Sequence, residues 1–516
     1  MMSLLLGQVG GCPCCLARMP HAAPTVKFSR GVSVATSAAK VVIPPSGRIR
    51  LDGGTIVDPR TGELTGGVSI LVEQGRIASI DDSRAAQSDA AARRIDVTGK
   101  FVVPGYNDMH SHVLELENPD GALALMLAEG VTGFRQMSGS VRLLEQRRSQ
   151  TLPISRLAPA LLELPGDILT PLNATSAEAV ATEIASQQRQ GADFVKAGMM
   201  GPEVFSAALR EAKRLGIPLL GHLQEGVEAK QAAIDGFRSI EHLGPGATIW
   251  AGCSSIEADL MRSSGAPNFD SPLLRISFVR SLLMRLFKTV LINPAAFAAP
   301  AHVERLQRAL DTYDEKKCQA LIGCFVAHDT WHVPTLVRLR SSQLADAAEY
   351  QQSAYLDYMP AASVKKWRKV TARFKRLPRA MRDTYAQAYA RQLELTRDLA
   401  NGGVRLMTGT DGGWLAGPGL TLQEEFAELA SAGLSPLQIL RMTTVNAAEY
   451  LARTQRMGTV EAGRDADLVV LDANPLLHVD NLSRIAAVVR AGFHYSRDDL
   501  DRLRSRVAAG RGFLSS

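Results

Sequence analysis

Residues 102–115 read VVPGYNDMHSHVLE, an apolar run that passes through Pro104 and Gly105 and finishes on His110 and His112. Side chains at i and i+2 of an extended chain point to the same side. Two imidazoles so placed can reach one ion. A His-x-His pair arises readily by chance among ten histidines; its position directly after an apolar strand and a Pro-Gly corner is what gives it weight.

Working outward toward the C-terminus, the chain alternates short apolar segments with helical stretches. The segments are GVTGFRQM (130–137), DFVKAGM (193–199), IPLLGHL (217–223), RSIEHL (238–243), WHVPTLV (331–337) and VRLMTGTD (404–411). Between them lie patterns such as TSAEAVATEIASQQRQG (175–191) and PEVFSAALREAKRLG (202–216), whose apolar residues recur at helical spacing. Repeated β/α alternation predicts a parallel sheet closed into a (β/α)8 TIM-like barrel, with the chemistry at the C-terminal ends of the strands. Each segment carries its polar residues near that end.

Further out on both sides the grammar changes. Residues 53–103 and, near the other terminus, 457–472 and 485–492 are short alternating apolar runs broken by turns, the pattern of antiparallel strands. The fold class expected is therefore α/β: a barrel flanked by a small β-sandwich built from both termini, with helical insertions on the barrel rim. The expected divisions are a leader at 1–45, the N-terminal part of the sandwich at 46–104, and the barrel at 105–450. Insertions are expected at about 251–325 and 338–400, and the C-terminal part of the sandwich with a tail at 451–516. The apolar segment 273–292 is interspersed with Arg275, Arg280, Arg285 and Lys288. Those charges spread around the helix instead of gathering on one face, which favours a lid or a subunit contact over a membrane-surface helix.

Composition narrows the function. With 58 Lys+Arg against 52 Asp+Glu, the net charge is +6 and both signs are dispersed, which argues against nucleic-acid binding. The apolar content of 46% fills a large core, yet no stretch approaches the ~18 uninterrupted apolar residues of a membrane span. The first acidic residue is Asp52, and the preceding stretch holds Cys12, Cys14 and Cys15. It reads as a leader without a signal-peptide core, and neither export nor cytoplasmic residence follows from it. Cys253, Cys318 and Cys324 form no legible disulfide framework.

Three further segments end on groups that bind metals. His222 closes IPLLGHL and His242 closes RSIEHL; one such histidine is ordinarily a hydrogen-bonded core residue, but two in successive strands beside a His-x-His point to ligands, and imidazole suits zinc. Asp411 ends VRLMTGTD before two glycines, where an aspartate is ordinarily a turn former; at the end of the last alternating strand its carboxylate projects into the same mouth. Lys196 stands in an otherwise apolar strand, either snorkelling to solvent or reacting with carbon dioxide to give a carbamate with two anionic oxygens.

With these residues in order, the chain resembles the amidohydrolase superfamily, in particular its imidazolonepropionase-like and Xaa-Pro dipeptidase (prolidase)-like branch, which includes ochratoxinase-like amidases. The resemblance runs from about residue 53 to 485 apart from the insertions. It implies two divalent metal ions, zinc by preference: His110, His112 and Asp411 for one, His222 and His242 for the other, and carboxylated Lys196 between them. It implies hydrolysis of a carbon–nitrogen bond in a small-molecule amide or peptide, with Asp411 as the catalytic proton carrier, and by analogy a homo-oligomer. GVTGFRQM departs from the GVTTVRD common among relatives, placing Gln136 where an acidic residue is usual. For substrate contact the candidates are Arg135 and His332, each weighed against a surface or rim role. The alternatives are a mononuclear deaminase or cyclic-amide hydrolase, in which Lys196 is incidental, and a non-catalytic scaffold that has lost its chemistry.

Overall fold

The computed structural model describes residues 47–83, 92–116, 118–264, 290, 292–412 and 420–510. The expected leader with its cysteines and most of the 273–292 segment lie outside the described residues. Strands β1 (Ile49–Val57), β2 (Leu64–Glu73), β3 (Arg76–Asp82), β4 (Arg93–Asp96) and β5 (Phe101–Pro104) come first. β2 and β3 are joined by Gln74 and Gly75, both at positive φ (49° and 77°), the left-handed pair that a two-residue hairpin turn needs.

The chain then enters the barrel. Its parallel strands are β6 (Tyr106–Ser111), β7 (Val131–Gln136), β8 (Ala160–Glu163), β9 (Val195–Ala197), β10 (Leu219–Gly221), β11 (Ser239–Glu241) and β12 (Trp331–Val333). β6, β7 and β8 form one ladder and β9 to β12 another. Three isolated parallel bridges join them: Leu169 with Ala197, His332 with Leu406, and Ser111 with Gly412. Residues 406–412 thus serve as the eighth stave and close the ring onto β6. Met109, Met137, Leu162, Phe194, Leu220, Trp331, Val333 and Met407 fill the interior as one cluster.

Helices cover the outside. Pro202–Leu215 buries Phe205, Ala208, Leu209 and Ala212 at helical spacing and stops at Gly216, which adopts the left-handed cap conformation. Ala177–Arg189 starts where Ser176 caps the Ala179 amide. Between β11 and β12 lie Thr248–Gly252, Glu257–Arg262, Pro300–Asp311 and Glu315–Ala327; between β12 and the eighth stave lie Leu336–Gln343, Ala348–Gln351, Ala361–Lys375 and Arg379–Asn401. Among the described residues no helix is long and apolar enough to cross a membrane.

β13 (Leu468–Leu471), β14 (Ile485–Arg490) and β15 (Phe493–Ser496) return to the N-terminal strands. The order is β15-β14-β13-β5-β1-β2-β3, with β4 added to β1. Both termini contribute, but to one continuous sheet and not to two stacked ones. It curls around its own core of Leu51, Ile70, Ile77, Val102, Leu468 and Val489, and its far edge returns to the chain before β13, where Ile77 N donates to Arg464 O at 2.9 Å.

Gly409 sets how closely the last stave approaches β6. A Cβ there would stand 2.6 Å from His110 Cβ and 2.5 Å from Val333 Cγ1. Gly409→Ala is therefore expected to force the seam apart and to destabilise the protein by about 1–3 kcal/mol, read as a lower urea midpoint; an unchanged midpoint would show that the seam has slack.

Glu425, on helix Leu420–Ser431, accepts a hydrogen bond from Val337 N at 2.8 Å. Burial pushes its carboxyl up to about 8, although the Val337 and Leu336 amides pull it down. The unfolded chain releases this proton near 4.5, so the associated stability is full below that pH and is lost as pH rises through about 8. Glu425→Gln keeps an acceptor but cannot titrate. Its melting temperature is expected to fall less between about pH 5 and about pH 8.5 than the parent's; equal losses would mean that Glu425 ionises freely.

Candidate metal centre

The site is built at the C-terminal ends of the barrel strands, and its firmest corner is the β6 seam. His110 O accepts from Thr410 N at 3.2 Å and from Asp411 N at 2.8 Å. Asp108, buried, ties the same two strands: its carboxylate accepts from His110 N (3.0 Å), Thr410 N (3.2 Å) and Thr410 Oγ1 (2.7 Å). Burial raises the Asp108 carboxyl to about 6 even so. Asp411 (φ 53°), His242 (φ 58°) and Thr335 (φ 47°) all leave their strands in the left-handed region. Such backbone is costly for residues other than glycine and clusters at functional sites; here it turns each chain inward just past its strand.

These bends bring the sequence-predicted ligands together. The ring centroids lie 5.4 Å apart for His110–His112, 4.6 Å for His110–His242 and 5.2 Å for His222–His242. Asp411 Oδ1 stands 3.3 Å from His110 Nε2 and 3.2 Å from His112 Nε2. Lys196 Nζ is 3.2 Å from His110 Nε2. All six side chains are buried. His110, His242 and Asp411 offer donor atoms within 4.8 Å of one another, a grouping that could hold a metal ion.

The ring orientations fit such an ion. Each imidazole engages its Nδ1 elsewhere: His112 with Ser138 Oγ (2.7 Å), His222 with Gly198 O (3.1 Å), His242 with Thr335 Oγ1 (2.5 Å) and His110 with Glu241 Oε2 (2.5 Å). That leaves Nε2 for the centre, and His242 Nε2 is buried without a hydrogen-bond partner. Burial, reinforced by the charge of Lys196 or of neighbouring histidines, holds His110, His222 and His242 below the ordinary imidazole range. That direction favours the unprotonated ring, the form that binds a metal. His112 goes the other way: burial opposes the proton, but the nearby carboxylates of Asp411 and Glu115 win. Asp411 is held well below the usual carboxylate range, because the His110 and His112 hydrogen bonds outweigh its burial.

Two expected substrate contacts are not brought to this mouth. His332 alternates with Trp331 and Val333, which belong to the barrel interior, so its ring faces the helical layer and packs edge-on to Phe325, 4.7 Å between centroids. Arg135 is fully buried inside the barrel, donating to Met109 O and Glu241. Sequence reasoning missed Glu241, Ser138, Thr335 and Arg338, whose Nε lies 3.1 Å from Asp411 Oδ2. Of these only Glu241 left a trace, a charge directly before His242 at the end of its short strand.

Residues 345–493 match the model of the amidohydrolase family. A dihydroorotase of Thermus aquaticus is 27% identical over 275 residues, 48% of this chain and 60% of that protein; the chain thus spans less than two thirds of the length of the curated relatives it matches. Among solved structures, a bottromycin amidohydrolase superimposes with a TM-score of 0.64 at 22% identity, covering 90% of each chain. A putative prolidase from Bifidobacterium longum gives a TM-score of 0.56 at 20% identity, covering 90% of this chain and 100% of that one. At those identities the structural likeness speaks for the fold alone, an amidohydrolase-type barrel, and the match to the amidohydrolase family itself extends over residues 345–493.

Proposed function

We propose that this protein is a metal-dependent hydrolase of carbon–nitrogen bonds, of the prolidase-like branch. The observation that carries the reading is the convergence of buried, Nδ1-anchored imidazoles on one point beside Asp411 and Lys196. His110, His112 and Asp411 would hold one divalent ion, His222 and His242 a second, with zinc the ion best suited to such donors. A carbamate on Lys196 would add anionic oxygens to this donor set. When bound, the ions lower the pKa of coordinated water from 15.7 to about 7 and polarise a carbonyl.

The chain's own residues do the rest. Asp411 takes the proton released by water and delivers it to the leaving nitrogen. The Arg338 guanidinium at Asp411 Oδ2 fixes which oxygen turns toward the centre. Burial of the whole constellation excludes bulk water and strengthens every charge interaction inside it.

The substrate class that suits the branch is an amide beside a free carboxylate: a dipeptide, an N-acyl amino acid or an ochratoxin-like amide. The names of the prolidase and bottromycin amidohydrolase neighbours support it. A cyclic amide is the second reading, favoured by the dihydroorotase relatives. A hydrolysis screen of linear and cyclic amides on zinc-reconstituted protein separates the two.

Asp411→Asn is expected to lower kcat by about 10²–10⁴-fold with little change in KM, since the shape is kept and the proton acceptor is lost. Near-normal turnover refutes the role. Lys196→Ala is expected to lose metal and activity, with partial rescue by acetate or propionate. A fully metallated, active variant shows that no carbamate is needed.

A further inference from the structure

Inside the barrel, beneath the centre, Arg135 and Glu241 form an ion pair in which neither side chain is exposed. Arg135 Nη2 donates to Glu241 Oε1 at 3.0 Å, and Ser239 Oγ donates to the same oxygen at 2.8 Å. The other carboxylate oxygen, Oε2, faces His110 Nδ1 at 2.5 Å. Arg135 also reaches His110 from its backbone side, because Nε donates to the carbonyl of Met109 at 2.6 Å. The remaining face of the guanidinium packs over the Tyr450 and Phe194 rings, at 5.0 and 5.7 Å.

We propose that Arg135 and Glu241 are a positioning pair for His110, fixing its tautomer, ring angle and backbone so that Nε2 is presented to the metal. The proposal rests on the metal-centre reading above. His112, His222 and His242 anchor Nδ1 on a hydroxyl or a backbone carbonyl; His110 has a carboxylate within hydrogen-bond distance, while Glu115 stands 3.6 Å from His112 Nδ1. A carboxylate accepting from a ligand histidine fixes its tautomer and raises its basicity toward the metal. Glu241 has its own countercharge in this dry interior, the Arg135 guanidinium 3.0 Å away.

Stability gives no competing reason for the pair. A buried ion pair is often replaceable by neutral groups of similar volume without loss, whereas removing one partner strands a charge. The geometry also needs arginine in particular: a single guanidinium bridges Met109 O and Glu241 with two differently directed N–H groups, and the point charge of lysine cannot hold both.

The test measures zinc retention by chelator competition and the absorption spectrum of the cobalt(II)-substituted protein, alongside the melting temperature of the metal-free form. Glu241→Gln is expected to weaken zinc retention about 10–100-fold and to shift the cobalt bands; Arg135→Lys is expected to change both in the same direction. Because a single variant can leave a stranded charge, the double variant Glu241→Gln with Arg135→Met removes both charges. It is expected to melt near the parent when metal-free and still to lose zinc 10–100-fold more readily. Glu129→Gln breaks a partly buried pair with Arg504 elsewhere and is expected to lower melting temperature while leaving zinc retention unchanged. Parent-like zinc retention and cobalt bands in Glu241→Gln, Arg135→Lys and the double variant overturn the positioning role. A parent protein that binds neither zinc nor cobalt overturns the metal reading itself, a result distinct from unaltered variants.

Discussion

The seam between β6 and the eighth stave is the constraint on which the site depends. His110 is at once a candidate ligand and, through its carbonyl, the acceptor for the amides of Thr410 and Asp411. The carboxylate of Asp411 therefore cannot be positioned independently of the imidazole it faces. Some 300 residues of chain separate the two in sequence, and Asp108 locks them with three hydrogen bonds. Gly409 supplies the close approach, since no side chain fits between His110 and Val333 at that level. Barrel closure and assembly of the site are accordingly one event.

Around that seam the electrostatics follow from burial. Sealing His110, His222 and His242 from water pushes their proton affinity down, and the positive groups beside them push the same way. The lone pairs are left available, with each ring's orientation set by what Nδ1 touches. Thr335 contributes to this from a left-handed backbone at the exit of β12, so the same bend that starts helix Leu336–Gln343 also holds His242 and carries Arg338 to Asp411. One short turn thereby shapes two parts of the site.

The barrel and its six candidate ligands were legible because strand ends leave a local signature: an apolar run stopping on a polar residue, as in IPLLGHL and VRLMTGTD. The second layer was not. Ser138 and Thr335 lie beyond the strands in ordinary loop composition, and their pairing with His112 and His242 is set by barrel closure. Arg135 and His332 were placed from their nearness in sequence to the mouth, but strand alternation sends Arg135 inward beneath the centre and His332 outward to Phe325. The terminal strands were readable as strands; that they make one sheet depends on β5 pairing with β13, across about 370 residues of chain, as in Val103 with Val469. No local pattern encodes such a partner.

That sheet bears on the site more directly than its distance suggests. β5 runs into β6 through Gly105 alone, whose amide donates to Asp467 O at 2.8 Å. A Cβ at Gly105 would stand 2.0 Å from Thr132 Oγ1 on β7, so the junction is held tightly from both domains. Asp467 in turn binds Arg490, which reaches the Ala158 carbonyl before β8. The start of β6 is thus fixed by both ends of the chain, five residues before His110. Past this point β6 departs from regular register against β7, between Tyr106 and Asn107 and again between Asp108 and Ser111, so the placing of His110 and His112 depends on where the strand is anchored at Gly105. The terminal sheet is in this sense a register clamp for the strand that carries both histidines, and the chain needs its two ends joined for its middle to present them.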